Sequence, residues 1–234
     1  MTSIALPGIL GPVQRGRAID HLRSYFSGTS FSGSFFDILG GRGDRSEVAN
    51  VVTEADLLSL ATLSVPVGGH AVRQLLTAPL GTDVTRLLAQ IPTDLSIATP
   101  EGRAFLGEGK PAWELWNLVR TVGQKAPQGN AFGQVRTSKL LARKRPHLIP
   151  IYDAVVAKQF GLPGSADQWT IWSEFFADGE FVAHLGSIQA AVDEASHISL
   201  LRVLDVVVWM EGQASATTGE IQSDEPRSFI GRGW

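Results

Sequence analysis

The sequence predicts an all-α protein, and three observations carry that prediction. Apolar residues recur at spacings of three and four in one segment after another, the period of a helix buried on one face. Helix-starting residues stand directly before such segments: Thr53, Thr82, Pro111 and Asp153. No two apolar runs alternate in a way that would pair them as strands, and no internal repeat is present.

Taken in order, the chain to Pro12 is apolar and irregular and reads as an extended packing arm. Val13 to Phe26 spaces Ile19, Leu22 and Phe26 as a helix, with Arg15, Arg17 and Arg23 between them. Ser27 to Asp44 is rich in Gly, Ser and Phe and reads either as a loop plugged into the core by Phe31, Phe35 and Phe36 or as an aromatic-walled pocket. Thr53 caps a nearly all-buried helix, Glu54 to Ser64. The break Val65 to His70 leads to a further helix, Ala71 to Thr77, and Thr82 caps one over Asp83 to Gln90. Ile91 to Gly109 lacks periodicity and reads as a long connection. Pro111 opens a helix to Val122 in which Trp113, Trp116 and Val119 repeat every three residues, a core pattern. Helices at Ser165 to Phe176 and Phe181 to Ala195 follow, and a buried one at Ser199 to Glu211 closes the domain. From Gly212 the chain has few core residues and reads as a mobile tail.

Composition narrows the function. A chain of 234 residues can bury a full core as one domain or two lobes. The absence of cysteine excludes disulfides, iron–sulfur clusters and thiolate zinc sites. Histidines at 21, 70, 147, 184 and 197 are scattered and predict no metal site. The run Leu200 to Met210 is too short to span a membrane and is broken by Arg202 and Asp205, so a cytoplasmic monomer without membrane contact is expected. A net charge of −3 does not advertise a nucleic-acid binder; only a local basic stripe would.

That stripe lies in the stretch Gly129 to Lys158. A Gly-containing turn (Asn130 to Gly133) leads into a short helix, Val135 to Arg143, ended by a basic cluster and Pro146. Five Lys or Arg and no acid lie between Arg136 and His147. The apolar, strand-like Leu148 to Tyr152 follows, and Asp153 then stands at the N-cap of a helix over Ala154 to Phe160. Turn amides, a basic helix and one carboxylate are a way to hold a phosphate backbone beside a reactive group. For Arg143, Lys144 and Arg145 the alternatives are a solvated helix end or phosphate contacts.

This stretch resembles the hairpin-to-aspartate region of the helix-hairpin-helix DNA glycosylases, whose hairpin reads Leu-Pro-Gly-Val-Gly-x-x-Thr-Ala. Laid over it without gaps, Gly129, Asn130, Ala131, Phe132 and Gly133 take the hairpin positions, Arg136 takes the threonine, and Asp153 falls at the spacing of the catalytic aspartate. The departures are Asn130 and Ala131 for Pro and Gly, and Val135 where bifunctional members carry a lyase lysine. The chain also looks like a member of an uncharacterised bacterial family with the pattern Ser-Lys-Leu-Leu-Ala-Arg-Lys-Arg-Pro-x-Leu-Ile-Pro-x-Tyr-Asp.

The glycosylase resemblance implies two helical lobes with a cleft between them over residues 1–211, with the hairpin at about 129–143. It implies a monofunctional glycosylase without cofactor that flips and hydrolyses a modified or damaged base from double-stranded DNA, in repair or in defence against phage with modified DNA. Asp153 is then catalytic; Phe132, Gly133, Val135, Arg136, Lys139 and Lys144 bind DNA; Val67 or His70 fills the space the base leaves; and Phe35, Phe36 and Tyr152 line the base pocket. Lys139, one turn from Val135, is the substitute available for a lyase lysine. The alternatives are a non-catalytic DNA-binding protein on the same fold and a helical interaction protein.

Overall fold

In the computed structural model the described residues are 4–124, 131–162, 164–165 and 167–223, with side chains described to 216. They contain eleven α-helices and no strand: α1 (Arg15–Phe26), α2 (Glu54–Thr62), α3 (Gly69–Leu76), α4 (Leu80–Leu88), α5 (Pro100–Ala104), α6 (Pro111–Arg120), α7 (Gly133–Lys144), α8 (Ala154–Phe160), α9 (Gln168–Phe175), α10 (Gly179–Gln189) and α11 (Leu200–Ser223). The protein is all-helical over these residues, and no described helix is long and apolar enough to cross a membrane.

Local chemistry sets the helix ends. Thr53 and Asp56 form a reciprocal capping box, the Thr53 hydroxyl accepting from the Asp56 amide and the Asp56 carboxylate accepting from the Thr53 amide at 2.9 Å. Pro111 sits in the first turn of α6, where its missing N–H leaves nothing unpaired. Asp153 caps α8 by accepting from the Val155 amide at 2.9 Å, and Gly161, in left-handed conformation, ends it.

Several sequence expectations need correction. Leu58 is 64% exposed, so α2 is buried on one side only. α4 begins two residues before Thr82, which lies within its first turn and caps nothing. The connection 91–109 contains α5, capped by the Thr99 hydroxyl at 3.1 Å from the Gly102 amide; five residues are too few to show a period. Leu148 to Tyr152 is buried but forms no strand, and the Leu148 and Ile149 amides turn back onto the Arg145 carbonyl. The segment's polar groups are met from α7 instead, the Tyr152 amide donating to Ser138 Oγ at 2.9 Å. α11 continues through Gly212 to Ser223 where a tail was expected. Gly212 is itself a packing residue, because a Cβ there would lie 2.4 Å from Val155 Cγ1. The end of the expected tail, 224–234, lies outside the described residues.

α11 packs on α1, α8 and α10, while α7 packs on α2 and α6, and α4 on α3 and α6. One continuous apolar core runs through both sets. α7 is central: every residue from Thr137 to Lys144 is buried, the charged ones included. Its C-terminal cations therefore contradict both readings offered for them, a solvated helix end and a phosphate clamp. Arg143 Nε and Lys144 Nζ each lie 2.8 Å from the carboxylate of Asp56, which is also buried. Arg143 also donates to the carbonyls of Phe36, Leu39 and Gly41. Arg145 donates to the carbonyls of Ile91, Ala49, Lys144 and Leu88 and to Asn50 Oδ1. Buried cations persist only with such full satisfaction. Gly43 is the contact point: a Cβ there would sit 2.8 Å from both the Arg143 carbonyl and Asp56 Oδ1. The glycine-rich 40–44 loop is thus the lid of this buried ion cluster, held further by Arg42, which bonds Asp44 through two nitrogens and the His197 carbonyl at 2.6 Å.

Candidate functional site

A cavity of about 450 Å³ opens where the C-terminal end of α2, α7 and the start of α8 face α11 and α1. That volume lies within the range of small-molecule sites, about 300–1,000 Å³. Its polar floor comes from two places in the chain. Lys139, on the buried helix α7, points its ammonium to Asp153 Oδ2 at 3.2 Å and to the Leu63 carbonyl at 3.4 Å. The other Asp153 oxygen is fixed by the α8 cap, so the carboxylate is oriented from both sides.

The second polar element is on α11, where Arg202 and Asp205 stand three residues apart and bond each other. Arg202 also donates to Asp37 at 3.3 Å, to the Tyr25 hydroxyl at 2.9 Å and to the Gly33 carbonyl at 3.0 Å. Gly33 is required there, since a Cβ would lie 2.0 Å from the Tyr25 hydroxyl. Burial pushes the Asp205 carboxyl up to about 6; the nearby Asp153 charge acts in the same direction, and Arg202 and Lys139 oppose it. Burial likewise raises the Tyr25 hydroxyl, against the pull of Arg202. Asp205 Oδ1 is buried and has no hydrogen-bond partner among the described residues.

The cavity's apolar wall is aromatic. Tyr25 and Phe31 stack with centroids 5.3 Å apart, and Trp209 meets Phe31 edge-on at 6.0 Å. Ser32, Thr62 and Ser64 also line the cavity, the Ser32 and Thr62 hydroxyls donating to the carbonyls of Thr62 and Ser59.

Of the residues singled out from the sequence, this cavity gathers Asp153 and Lys139. Tyr152 is buried beside them, but the lining positions are its neighbours Ile151 and Asp153. Phe36 is buried in the core and Phe35 is 45% exposed; the loop aromatic that reaches the cavity is Phe31. Val67 packs against the core. His70 lines a separate surface groove with Gln74 and Leu118. Arg136 is occupied as a tie, donating to the Pro66 carbonyl at 2.9 Å and the Ala131 carbonyl at 3.1 Å. Phe132 is buried, its amide closing the α6–α7 connection on the Val122 carbonyl at 2.8 Å. Gly133 has a φ of +67° and Val135 is half-buried. Gly129 and Asn130 lie outside the described residues. Lys144 is in the interior, as described above. The sequence reasoning missed Tyr25, Arg202, Asp205 and Trp209 as site residues. One signal was present: two opposite charges three residues apart inside an otherwise apolar helix.

No group of three or more acidic or histidine side chains among the described residues is placed to hold a metal ion. Neither the curated proteins nor the solved structures searched gave a significant match to the chain. A family model does match, over residues 18–212, which include every residue lining the cavity. The chain therefore belongs to that family, described as a family of unknown function (DUF6308).

Proposed function

We propose that the chain is a monofunctional N-glycosylase that removes a base from DNA, with the cavity between α7 and α11 receiving the flipped nucleotide. The observation that carries this reading is the sharing of one aromatic-walled cavity by the Asp153 carboxylate and the Lys139 ammonium. Excision breaks the bond between the sugar's anomeric carbon and the base nitrogen, and the sugar becomes oxocarbenium-like as it breaks. A fixed carboxylate beside that carbon stabilises the developing charge. Water supplies the oxygen of the new C–O bond, and its proton leaves with the base, giving a free base and an abasic site. Lys139 is held as the cation of an ion pair, which favours an orienting role over nucleophilic attack, so no Schiff base forms and strand cleavage requires added alkali. The two-lobed arrangement and the helix-hairpin-helix reading of residues 129–143 belong to this proposal, as does a role in repair or antiviral defence.

One observation favours a second reading. The interior position of Arg143, Lys144 and Arg145 removes the basic run as a duplex clamp, which supports a substrate smaller than duplex DNA, such as a free nucleoside. The test is a panel of purified duplexes, single strands and nucleosides carrying modified bases, with free base measured by chromatography and abasic sites revealed by alkali. Base release from a duplex supports the first reading, and release from nucleosides alone the second. Release from none of them leaves the non-catalytic binding protein.

A further inference from the structure

A buried carboxylate oxygen with no partner is expensive, and proteins rarely keep one without a use. Asp205 is such a group: it is 6% exposed and lines the cavity, one oxygen is held by Arg202, and Oδ1 is buried without a partner among the described residues. Arg202 cannot turn to satisfy it without leaving Asp37, Tyr25 and the Gly33 carbonyl. Beside it stand the partly exposed rings of Phe31 and Trp209, set edge to face, which form an apolar corner of the same space. An acceptor beside an aromatic corner is a reader for a ring whose edge carries a hydrogen-bond donor.

We propose that Asp205 sets the specificity of the cavity: its free oxygen accepts a hydrogen bond from an N–H on the edge of a planar nitrogen heterocycle packed against Phe31 and Trp209. The ligand class is that of amino- or imino-bearing bases, and the choice of a base as ligand rests on the excision reading. Rings with no N–H on that edge leave the carboxylate unpaired and are rejected.

The donor bond needs the ionised carboxylate. The charged or titratable groups facing Asp205 are Arg202 on its own helix, Tyr25 on α1, Lys139 on α7 and Asp153 at the start of α8. Asp37 reaches it only through Arg202. With the free carboxyl near 6, affinity for a donor-bearing ring is full at pH 7 and declines as pH falls through 6, reaching about a tenfold loss at pH 5.

The experiment is calorimetric titration of the full chain with guanosine, whose edge carries N–H donors, and with purine riboside, whose edge carries none. The expected result is at least tenfold tighter binding of guanosine at pH 7 and a loss of about tenfold for guanosine alone at pH 5. Asp205→Asn keeps the oxygen that Arg202 needs and turns an amide N–H to the cavity. It should abolish or reverse the preference and remove the pH dependence. Phe31→Leu is the second variant and does not touch the ion pairs: it should weaken both ligands by roughly tenfold and leave their ratio unchanged. Equal binding of the two nucleosides by the wild type, binding of neither, or a guanosine preference that survives Asp205→Asn with its pH dependence intact overturns the proposal. The failures are separable: selective binding without base release from any substrate sinks the excision reading alone. Release of a base that lacks an N–H edge, undiminished in Asp205→Asn, sinks this inference alone.

Discussion

Lys144 places its ammonium 2.8 Å from Oδ2 of Asp56, and neither side chain reaches solvent. The same carboxylate holds Arg143 and completes the cap of α2, so one acid joins α2, α7 and, through Gly43, the glycine-rich loop. Asp56→Asn removes the negative charge from between two buried cations. Breaking a buried ion pair from one side costs about 3–5 kcal/mol, and Asp56→Asn should lose that much in denaturant unfolding. A loss below about 1 kcal/mol would mean that the cations find water in solution.

Arg145 has no carboxylate partner among the described residues. Five carbonyl or amide oxygens surround its guanidinium, and burial pulls its pKa down to about 10. Lysine keeps the charge but has three donors on one nitrogen and cannot reach a ring of acceptors. Arg145→Lys should cost about 3 kcal/mol or more, as two or more buried acceptors lose partners at about 1–3 kcal/mol each. Thermal melts of Arg145→Lys beside an exposed control such as Arg120→Lys would show it; equal melting temperatures would contradict it.

These cations explain what the sequence concealed. The run Arg-Lys-Arg-Pro carries the charge of a solvated or nucleic-acid-binding surface, and its local pattern gives no sign of burial. The partners that make burial tolerable, Asp56 and the carbonyls of residues 36–50 and 88–91, lie 54 to 107 positions earlier, and periodicity does not reach that far. The helices themselves were legible where local chemistry decides them, at Thr53, Pro111 and Asp153. Half of the candidate site was legible for the same reason: Asp153 caps a helix, and Lys139 is on the face that meets it. Tyr25, Arg202, Asp205 and Trp209 reach the cavity only by long-range packing of α1 on α11.

Asp205 should leave a mark on stability as well as on binding. Its carboxyl is raised to about 6 in the folded chain, above its ordinary value near 3.8. Between those values the native state binds a proton that the unfolded state has released, so this group's contribution to stability grows as pH falls from 7 to 4.5. Asp205→Asn cannot titrate there. The wild-type melting temperature minus that of Asp205→Asn should therefore rise on acidification across this window. A difference that is flat with pH would place the Asp205 carboxyl at its ordinary value.

The claim that the cavity excises a base rests on Asp153. Asp153→Asn retains the capping oxygen for Val155 but withdraws the charge facing Lys139, so a modest stability loss, on the order of 1–3 kcal/mol, accompanies it. The decisive measurement is single-turnover base release, under conditions where both proteins are folded, on whichever substrate of the panel the wild type cleaves. Loss of the carboxylate should slow release by roughly a hundredfold or more while substrate binding persists. Full release activity in Asp153→Asn would contradict the account and leave the carboxylate as a helix cap alone.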